Sequence, residues 1–297
     1  MLKKIFFLLT VMFLLSCTSK KELGSESRPI QFALVPGQDS AVLIENGKIL
    51  EKWIHDQTGL FVKMQVPVTF VAVVEGLGAQ RVDVAIINTF GYLLAREKYH
   101  ASARLIGVNH GLSQYWGQII TSNPKIQTLK DLNGKKFAFV DPASTSGYIL
   151  AAKLFKDENI KPSEVIFAGK HDSVVTMVYQ GRIDAGATYH TPAENGVPQD
   201  ARRLVKEQFP DVYEKVRVLK LTGPIPSDPV VFREGLSPEI EKKIISALKS
   251  FGETPEGSKA LHNLYHLTGF KDCTDADYDS VRNLLLDLGK KAQDFVK

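Results

Sequence analysis

The segment FAFVDPASTSGYILAAKLFK, residues 137–156, contains the change of pattern that decides the fold. Its first four residues, 137–140, form a short apolar run typical of a buried strand. From Ser144 the sequence predicts a helix that continues to about Lys156, since a serine can cap the first turn. A strand that passes through a short turn into a helix is the repeating unit of an α/β fold.

The same alternation continues on both sides of this segment, from Pro29 onward. A helix capped by Asp39 and Ser40 is expected to end near Gly59, and another helix is expected over residues 171–179. The tail predicts three helices, over 237–251, 255–266 and 274–296, and the prolines at 224, 226 and 229 are expected to break regular structure. The predicted strands are 30–35, 61–68, 82–87, 104–108, 114–121, 137–140, 165–168, 183–187 and 216–221.

This pattern predicts an α/β protein of two lobes with C-terminal helices. Residues 29–117 would form the first part of lobe 1, residues 118–223 would form lobe 2, and residues 224–297 would return to lobe 1. The chain would cross between the lobes near residues 115–117 and again near 222–229. A ligand would then bind in the cleft, where helix N-termini from both lobes converge.

The first residues indicate export. Lys3 and Lys4 precede an apolar run over residues 5–15, which is too short to span a bilayer and is typical of a signal peptide. The run ends in Leu-Leu-Ser-Cys17, the pattern of a lipidation site. We therefore expect a signal peptide over 1–16, lipid on Cys17, and a polar tether over 17–28 that holds the domain on the membrane outside the cytoplasm. A plain secretory signal with a chance cysteine is the alternative.

Composition excludes several classes of protein. Without residues 1–16 the chain has 35 basic and 33 acidic side chains, a balance that gives no support for nucleic-acid binding. The other cysteine is Cys273, so we expect no disulfide. No later apolar stretch approaches the roughly 20 residues of a membrane span. The sequence favours a monomer held together by its own core.

Three consecutive hydroxyl residues, Ser144, Thr145 and Ser146, stand at the predicted helix start. Hydroxyl donors, free backbone N–H groups and the positive end of the helix dipole suit a tetrahedral oxyanion. The alternative is an ordinary helix cap, which needs one hydroxyl only.

Two further residues are candidates for the same cleft. His171 opens the next predicted helix and could donate to an oxyanion, and as an imidazolium it would add positive charge. Asp228 lies on the second crossing segment, where a carboxylate beside an anion must meet a proton or a cation on the ligand. The alternative for His171 is a capping or surface histidine, and the alternative for Asp228 is an ordinary turn residue.

Enzyme chemistry is the rival hypothesis. Ser144, His171 and Asp184 would be the members of a hydrolase triad, but no Gly-x-Ser-x-Gly sequence surrounds the serine. Cys273 stands alone in the tail, where a structural role is favoured. His110, His171 and His190 are scattered without metal-binding spacing. We therefore expect no catalytic residue, no metal and no cofactor.

Several segments together resemble the phosphonate-, phosphite- and phosphate-binding proteins of ABC importers, within the type II periplasmic binding protein class. The resemblance extends over nearly all of residues 29–290. The segments that carry it are Val73-Val74-Glu75-Gly76, Val82-Asp83-Val84-Ala85, Gln114-Tyr115-Trp116-Gly117, Asp141 to Tyr148, His171 followed by Ile183-Asp184, and Ile225 to Val231. The hydroxyl triplet is the most specific of these.

The resemblance implies a set of pocket residues and a partner. By correspondence the pocket comprises Tyr115, Ser144, Thr145, Ser146, His171 and Asp228. Phe70 stands where phosphonate binders have a tyrosine. Thr191 stands where aminoalkyl-phosphonate binders have a second carboxylate, which Glu194 would replace only if its loop shifts. Phosphate, phosphite or a simple alkylphosphonate is therefore the expected ligand, and an ABC permease with its ATPase the expected partner. A sensing subunit with the same fold is the alternative.

Overall fold

The computed structural model describes residues 22–287 and residue 292. The predicted signal peptide, the lipidation site Cys17 and the end of the predicted final helix lie outside this part of the chain. Residues 23–28, which the sequence assigns to the tether, form a turn against the domain. The Gly24 carbonyl accepts a hydrogen bond from the Phe61 amide at 2.7 Å, and Leu23 packs on the core.

Strands and helices alternate through the described residues, as the sequence predicts. The strands are β1 (Ile30–Leu34), β2 (Val62–Gln65), β3 (Val84–Ile86), β4 (Ser102–Val108), β5 (Gln114–Thr121), β6 (Lys136–Phe139), β7 (Glu164–Phe167), β8 (Ala185–His190), β9 (Arg217–Pro226), β10 (Pro229–Phe232) and β11 (Gly269–Asp272). The helices are α1 (Ser40–Thr58), α2 (Phe70–Gly78), α3 (Thr89–Tyr99), α4 (Leu150–Asp157), α5 (His171–Tyr179), α6 (Val212–Lys215), α7 (Pro238–Phe251), α8 (Pro255–Tyr265) and α9 (Asp279–Asp287).

Two mixed sheets contain all of these strands. The first has the order β11-β4-β10-β3-β1-β2, and the second has the order β7-β6-β8-β5-β9. In the first sheet β1 runs parallel to β2 and β3, while β10 runs antiparallel between β3 and β4. In the second sheet β6 runs parallel to β7 and β8, while β5 runs antiparallel to β8 and β9.

The chain passes between the sheets at two short segments. It leaves the first sheet after β4 at Val108 and enters the second at Gln114, and it returns through Ser227 and Asp228, between β9 and β10. The boundaries expected at residues 117 and 223 lie inside β5 and β9. Asp228 therefore lies at the point of return.

Local sequence signals set several helix ends. The Asp39 carboxylate accepts hydrogen bonds from the first amides of α1, and Gly59 ends that helix at φ 71°, as predicted. Asn88 caps α3 through the Gly91 amide. These caps fix the points at which the helices start from loops at the strand ends.

Three predicted elements differ from the structure. Pro224 does not break β9, because that strand lies at the edge of the second sheet, where a missing N–H is tolerated. The helix predicted from Ser144 begins as a π-helical turn, Thr145–Ile149, before α4. The single helix predicted over 274–296 is instead a 3-10 turn, Asp275–Tyr278, followed by α9. Among the described residues no helix has both the length and the apolar character needed to cross a membrane.

Candidate functional site

A cavity of about 100 Å³ lies between the loops that join the strands of the two sheets. Its wall includes residues of α2, β5, α5, α8 and the return segment, so both halves of the chain contribute. The seven ligand-binding candidates from the sequence all line it: Phe70, Tyr115, Ser144, Thr145, Ser146, His171 and Asp228.

The hydroxyl triplet forms the turn between β6 and α4. The Ser144 hydroxyl caps this turn by accepting from the Gly147 amide at 3.1 Å, so the ordinary capping role applies to this residue. Thr145 and Ser146 are 1% and 3% exposed, and their hydroxyls are not used by the cap. Two buried donors are thus placed at the cavity wall without a role in the helix start.

Backbone and side-chain hydrogen bonds join the two halves across the cavity. Thr145 Oγ1 accepts from the Phe90 amide at 2.9 Å, and Asn88 Nδ2 donates to the Ala143 carbonyl at 3.1 Å. The His171 amide donates to the Gly37 carbonyl at 3.1 Å. Each bond joins a segment that follows a strand of the first sheet to a segment that follows a strand of the second, so this is an arrangement with the cleft closed.

Tyr115 connects the hydroxyl turn to Asp228. Its hydroxyl lies within hydrogen-bonding reach of Thr145, Ser146 and the Asp228 carboxylate. Burial raises the pKa of Tyr115 well above its usual value, and the Asp228 charge adds to that effect. Tyr115 therefore stays protonated and can donate to Asp228.

Asp228 is buried, and burial disfavours the charged form of its carboxyl group. Burial raises the pKa of its carboxyl to about 7, although the hydrogen bond with Tyr115 lowers it. Its Oδ1 is shielded from solvent and has no hydrogen-bond partner among the described residues. The carboxyl is thus able to hold a proton near neutral pH and to share it with a bound group.

His171 is buried, with its ring edge-on to Tyr189 at a centroid distance of 4.9 Å. Burial lowers the pKa of His171 to about 3, so the imidazolium considered from the sequence is not formed here at neutral pH. Nδ1 has no hydrogen-bond partner among the described atoms. The neutral ring can still give one N–H donor to a ligand.

The sequence matches the family described as "ABC transporter, phosphonate, periplasmic substrate-binding protein" over residues 32–278. The chain belongs to this phosphonate-binding family. It is similar to the phosphate-import protein PhnD of Mycolicibacterium smegmatis, with 29% identity over 86% of this chain and 84% of that protein.

Solved structures of the phosphonate-binding family show the same fold. A binding protein component of an ABC phosphonate transporter from Pseudomonas aeruginosa has a TM-score of 0.77 at 23% identity, over 87% of this chain and 86% of that one. PhnD1 of Prochlorococcus marinus, in complex with methylphosphonate, has a TM-score of 0.74 at 17% identity, over 88% and 98%. The predicted two-lobed type II periplasmic binding protein fold is confirmed.

Thr191 and Glu194, the two positions considered for pairing with an amine on the ligand, are placed differently in this phosphonate-binding protein. Thr191 lines the cavity, where its hydroxyl donates to the Gln199 carbonyl at 2.8 Å. Glu194 is not among the lining residues. Its Oε1 lies 3.0 Å from His110 Nε2 and 3.2 Å from His266 Nε2. Asp228 is therefore the one carboxylate among the described residues that line the cavity.

Several lining residues were not found from the sequence of this family member. Arg203 and Tyr189 lie within hydrogen-bonding reach of each other, and Arg203 also donates through Nη2 to the His262 carbonyl at 3.3 Å. No local motif marks them, because β8, the turn at 201–205 and α8 meet only in the folded chain. His266 also lines the cavity and was not predicted, although it forms a His-x-x-x-His spacing with His262 in HNLYH (262–266).

The hydrolase triad is not assembled in the described structure. The Asp184 carboxylate accepts from the Asn123 side chain and from the Lys136 amide, each at 3.0 Å. Asp184 does not line the cavity that holds Ser144 and His171.

Proposed function

We propose that this phosphonate-binding-family protein captures a phosphonate, phosphite or phosphate ion in its closed cleft and delivers it, as a monomer, to an ABC permease and its ATPase. The observation that carries the proposal is the set of Thr145, Ser146 and Tyr115 hydroxyls that line one cavity together with the Asp228 carboxyl. An oxyanion accepts from hydroxyl donors, and charge-assisted bonds of this kind are the stronger ones. Asp228 can accept a proton that the ligand carries as P–OH.

The other lining residues favour a small ligand without an amine. Phe70 places a ring where a hydroxyl donor would otherwise stand, and Thr191 gives no charge to pair with an ammonium group. The Mycolicibacterium relative is named for phosphate import and the Prochlorococcus neighbour holds methylphosphonate, which supports simple phosphorus oxyanions for this chain as well.

Calorimetric titration with phosphate, phosphite, methylphosphonate, 2-aminoethylphosphonate and sulfate tests the proposal. We expect one site per chain and, at pH 9, binding of at least one simple phosphorus anion about 100-fold tighter than sulfate, since Asp228 is then ionised and sulfate has no proton to offer it. Equal affinity for sulfate, or no binding of any phosphorus anion, would refute it. Tightest binding of 2-aminoethylphosphonate would overturn the proposal that the ligand has no amine, and would leave the oxyanion site in place.

Cleft closure is the first prediction. We propose that each sheet with its helices is a lobe, and that residues 109–113 and 227–228 form the hinge between them. Opening would break the hydrogen bonds from Phe90 to Thr145 and from Asn88 to Ala143. Small-angle scattering is expected to give a smaller radius of gyration with the tightest-binding anion than without it. An unchanged radius with saturating ligand would argue for a rigid cleft.

Lipid anchoring is the second prediction, and it rests on Cys17 and the apolar run before it. Cys17→Ser is expected to move the protein from the detergent-soluble membrane fraction to the freely released fraction, with the affinity for phosphorus anions unchanged. Cell fractionation measures this directly. Wild-type protein that is released without detergent would show that the cysteine carries no lipid.

We propose that the protein binds without catalysis. The position of Asp184, held by Asn123 and Lys136 away from the cavity, supports this. A sensing subunit would use the same cleft, and neighbouring genes for a permease and an ATPase would distinguish transport from sensing.

A further inference from the structure

A second group of side chains lies outside the hydroxyl turn. His262 stands near the end of α8, and His266 ends that helix at φ 57°. Glu194 stands in the loop after β8, and His110 stands in the segment between β4 and β5. Single ligand atoms of Glu194, His262 and His266 all lie within 4.8 Å of one another. His110 adds a fourth nitrogen, 3.0 Å from Glu194 Oε1.

We propose that Glu194, His262 and His266, with His110 as the fourth ligand, form a binding site for a borderline divalent metal ion such as Zn²⁺. Three imidazoles and one carboxylate are a ligand set that zinc prefers. His266 also lines the cavity of the proposed oxyanion site, but the metal site uses other ligand atoms and a different chemistry.

The arrangement around the Glu194 carboxylate is compatible with ligands of one metal ion. Glu194 Oε1 lies 3.0 Å and 3.2 Å from two ring nitrogens, yet it makes no well-oriented hydrogen bond with any described atom. Ligands on a tetrahedral zinc ion, with bonds of about 2.0–2.1 Å, are separated by roughly 3.3 Å. One oxygen held at this spacing from two nitrogens matches a shared ion.

The buried ring of His266 gives independent evidence that a binding partner is missing at this site. It is 2% exposed, and both of its ring nitrogens lack a hydrogen-bond partner among the described residues. A buried polar atom normally finds a partner, since leaving it without one costs about 1–3 kcal/mol. A metal ion bound by one nitrogen would provide that partner.

The charges around the group act in two directions. Arg203 lies close to both His262 and His266, and its positive charge opposes a dication. The Glu194 carboxylate offsets part of that repulsion.

The position of the site gives it a structural consequence. Glu194 follows β8 of the second sheet. His262 and His266 lie at the end of α8, which packs against α1, the helix that connects β1 and β2 of the first sheet. A bound ion would therefore join the two halves of the protein beside the cleft.

Zinc titration of the tag-free protein in phosphate-free buffer, followed by calorimetry and elemental analysis, tests the site without any phosphorus ligand. We expect one Zn²⁺ per chain. Glu194→Gln and His262→Gln should each weaken binding by at least about tenfold, since even loss of a supporting residue outside the ligand set costs that much. His100→Asn, at an exposed histidine that ends α3, should leave zinc binding unchanged.

Melting temperatures measured without zinc show whether each variant is folded, and His266→Asn serves as a further variant because asparagine tolerates the left-handed backbone. Absence of saturable zinc binding by the wild type would overturn the proposal. So would unchanged zinc affinity in folded Glu194→Gln and His262→Gln. Because no phosphorus anion is present, neither result bears on the proposed oxyanion site.

Discussion

Asp228→Asn is expected to raise the melting temperature of the ligand-free protein at pH 8 by several degrees, and by less than half as much at pH 5. The pKa of Asp228 is about 7 in the folded protein against an ordinary 3.8. The folded state therefore binds more protons than the unfolded state between these values, and its stability falls as pH rises from about 4 to 7. Above pH 7 the buried charge costs on the order of 4 kcal/mol, which the amide avoids.

The same substitution is expected to change how anion binding depends on pH. Above pH 7 the ionised Asp228 repels an anion that brings no proton, such as sulfate, so the wild-type affinity for such an anion should fall by up to about tenfold per pH unit. In Asp228→Asn this slope should flatten, and sulfate should bind relatively better.

Scanning calorimetry and ligand titration from pH 5 to pH 9 measure both effects. Glu253→Gln, at an exposed carboxylate, is the matched control and should change neither. If Asp228→Asn shifts the melting temperature equally at pH 5 and pH 8 and leaves the ligand ranking untouched, Asp228 is an ordinary turn residue.

Thr145→Val is expected to weaken binding of every phosphorus anion by about 100-fold, with little change in preference among them. The variant keeps the side-chain shape and loses the hydroxyl. A hydrogen bond to a charged ligand contributes roughly 1.5–3 kcal/mol, and the closed cleft also loses the bond that Thr145 accepts from the Phe90 amide.

Thr145→Ser retains the hydroxyl and is the matched control, with an expected affinity within about tenfold of the wild type. Calorimetry on both variants, with melting temperatures to show that they are folded, separates the hydroxyl from the methyl group. If the valine variant binds as tightly as the serine variant, the Thr145 hydroxyl is not part of the oxyanion site.

The parts of the fold that follow from local sequence were predictable. The α1 caps at Asp39 and Gly59 and the bounds of α5 are set by neighbouring residues, and they were predicted correctly. β10 was missed because it is short and begins with Pro229, and its assignment depends on pairing with β3 and β4, which are distant in sequence. Pro224 was misjudged for a similar reason, since only the sheet order shows that β9 is an edge strand.

The candidate site also contains residues that a local motif marks and residues whose role depends on distant parts of the chain. Ser144, Thr145 and Ser146 are adjacent in the chain, so their shared turn was visible as a motif. The pKa of Asp228 and the neutral state of His171 depend on burial by residues far along the chain, which no local pattern reports. Arg203 reaches the cavity wall through the packing of its turn against α5 and β8.

A crystal structure of the protein grown with methylphosphonate would show directly whether the cleft is the oxyanion site. We expect the phosphonate between the two sheets, with its oxygens at hydrogen-bonding distance from the Thr145 and Ser146 hydroxyls and one oxygen facing the Asp228 carboxyl. A phosphonate bound elsewhere on the protein, or in the cleft with none of these contacts, would contradict it.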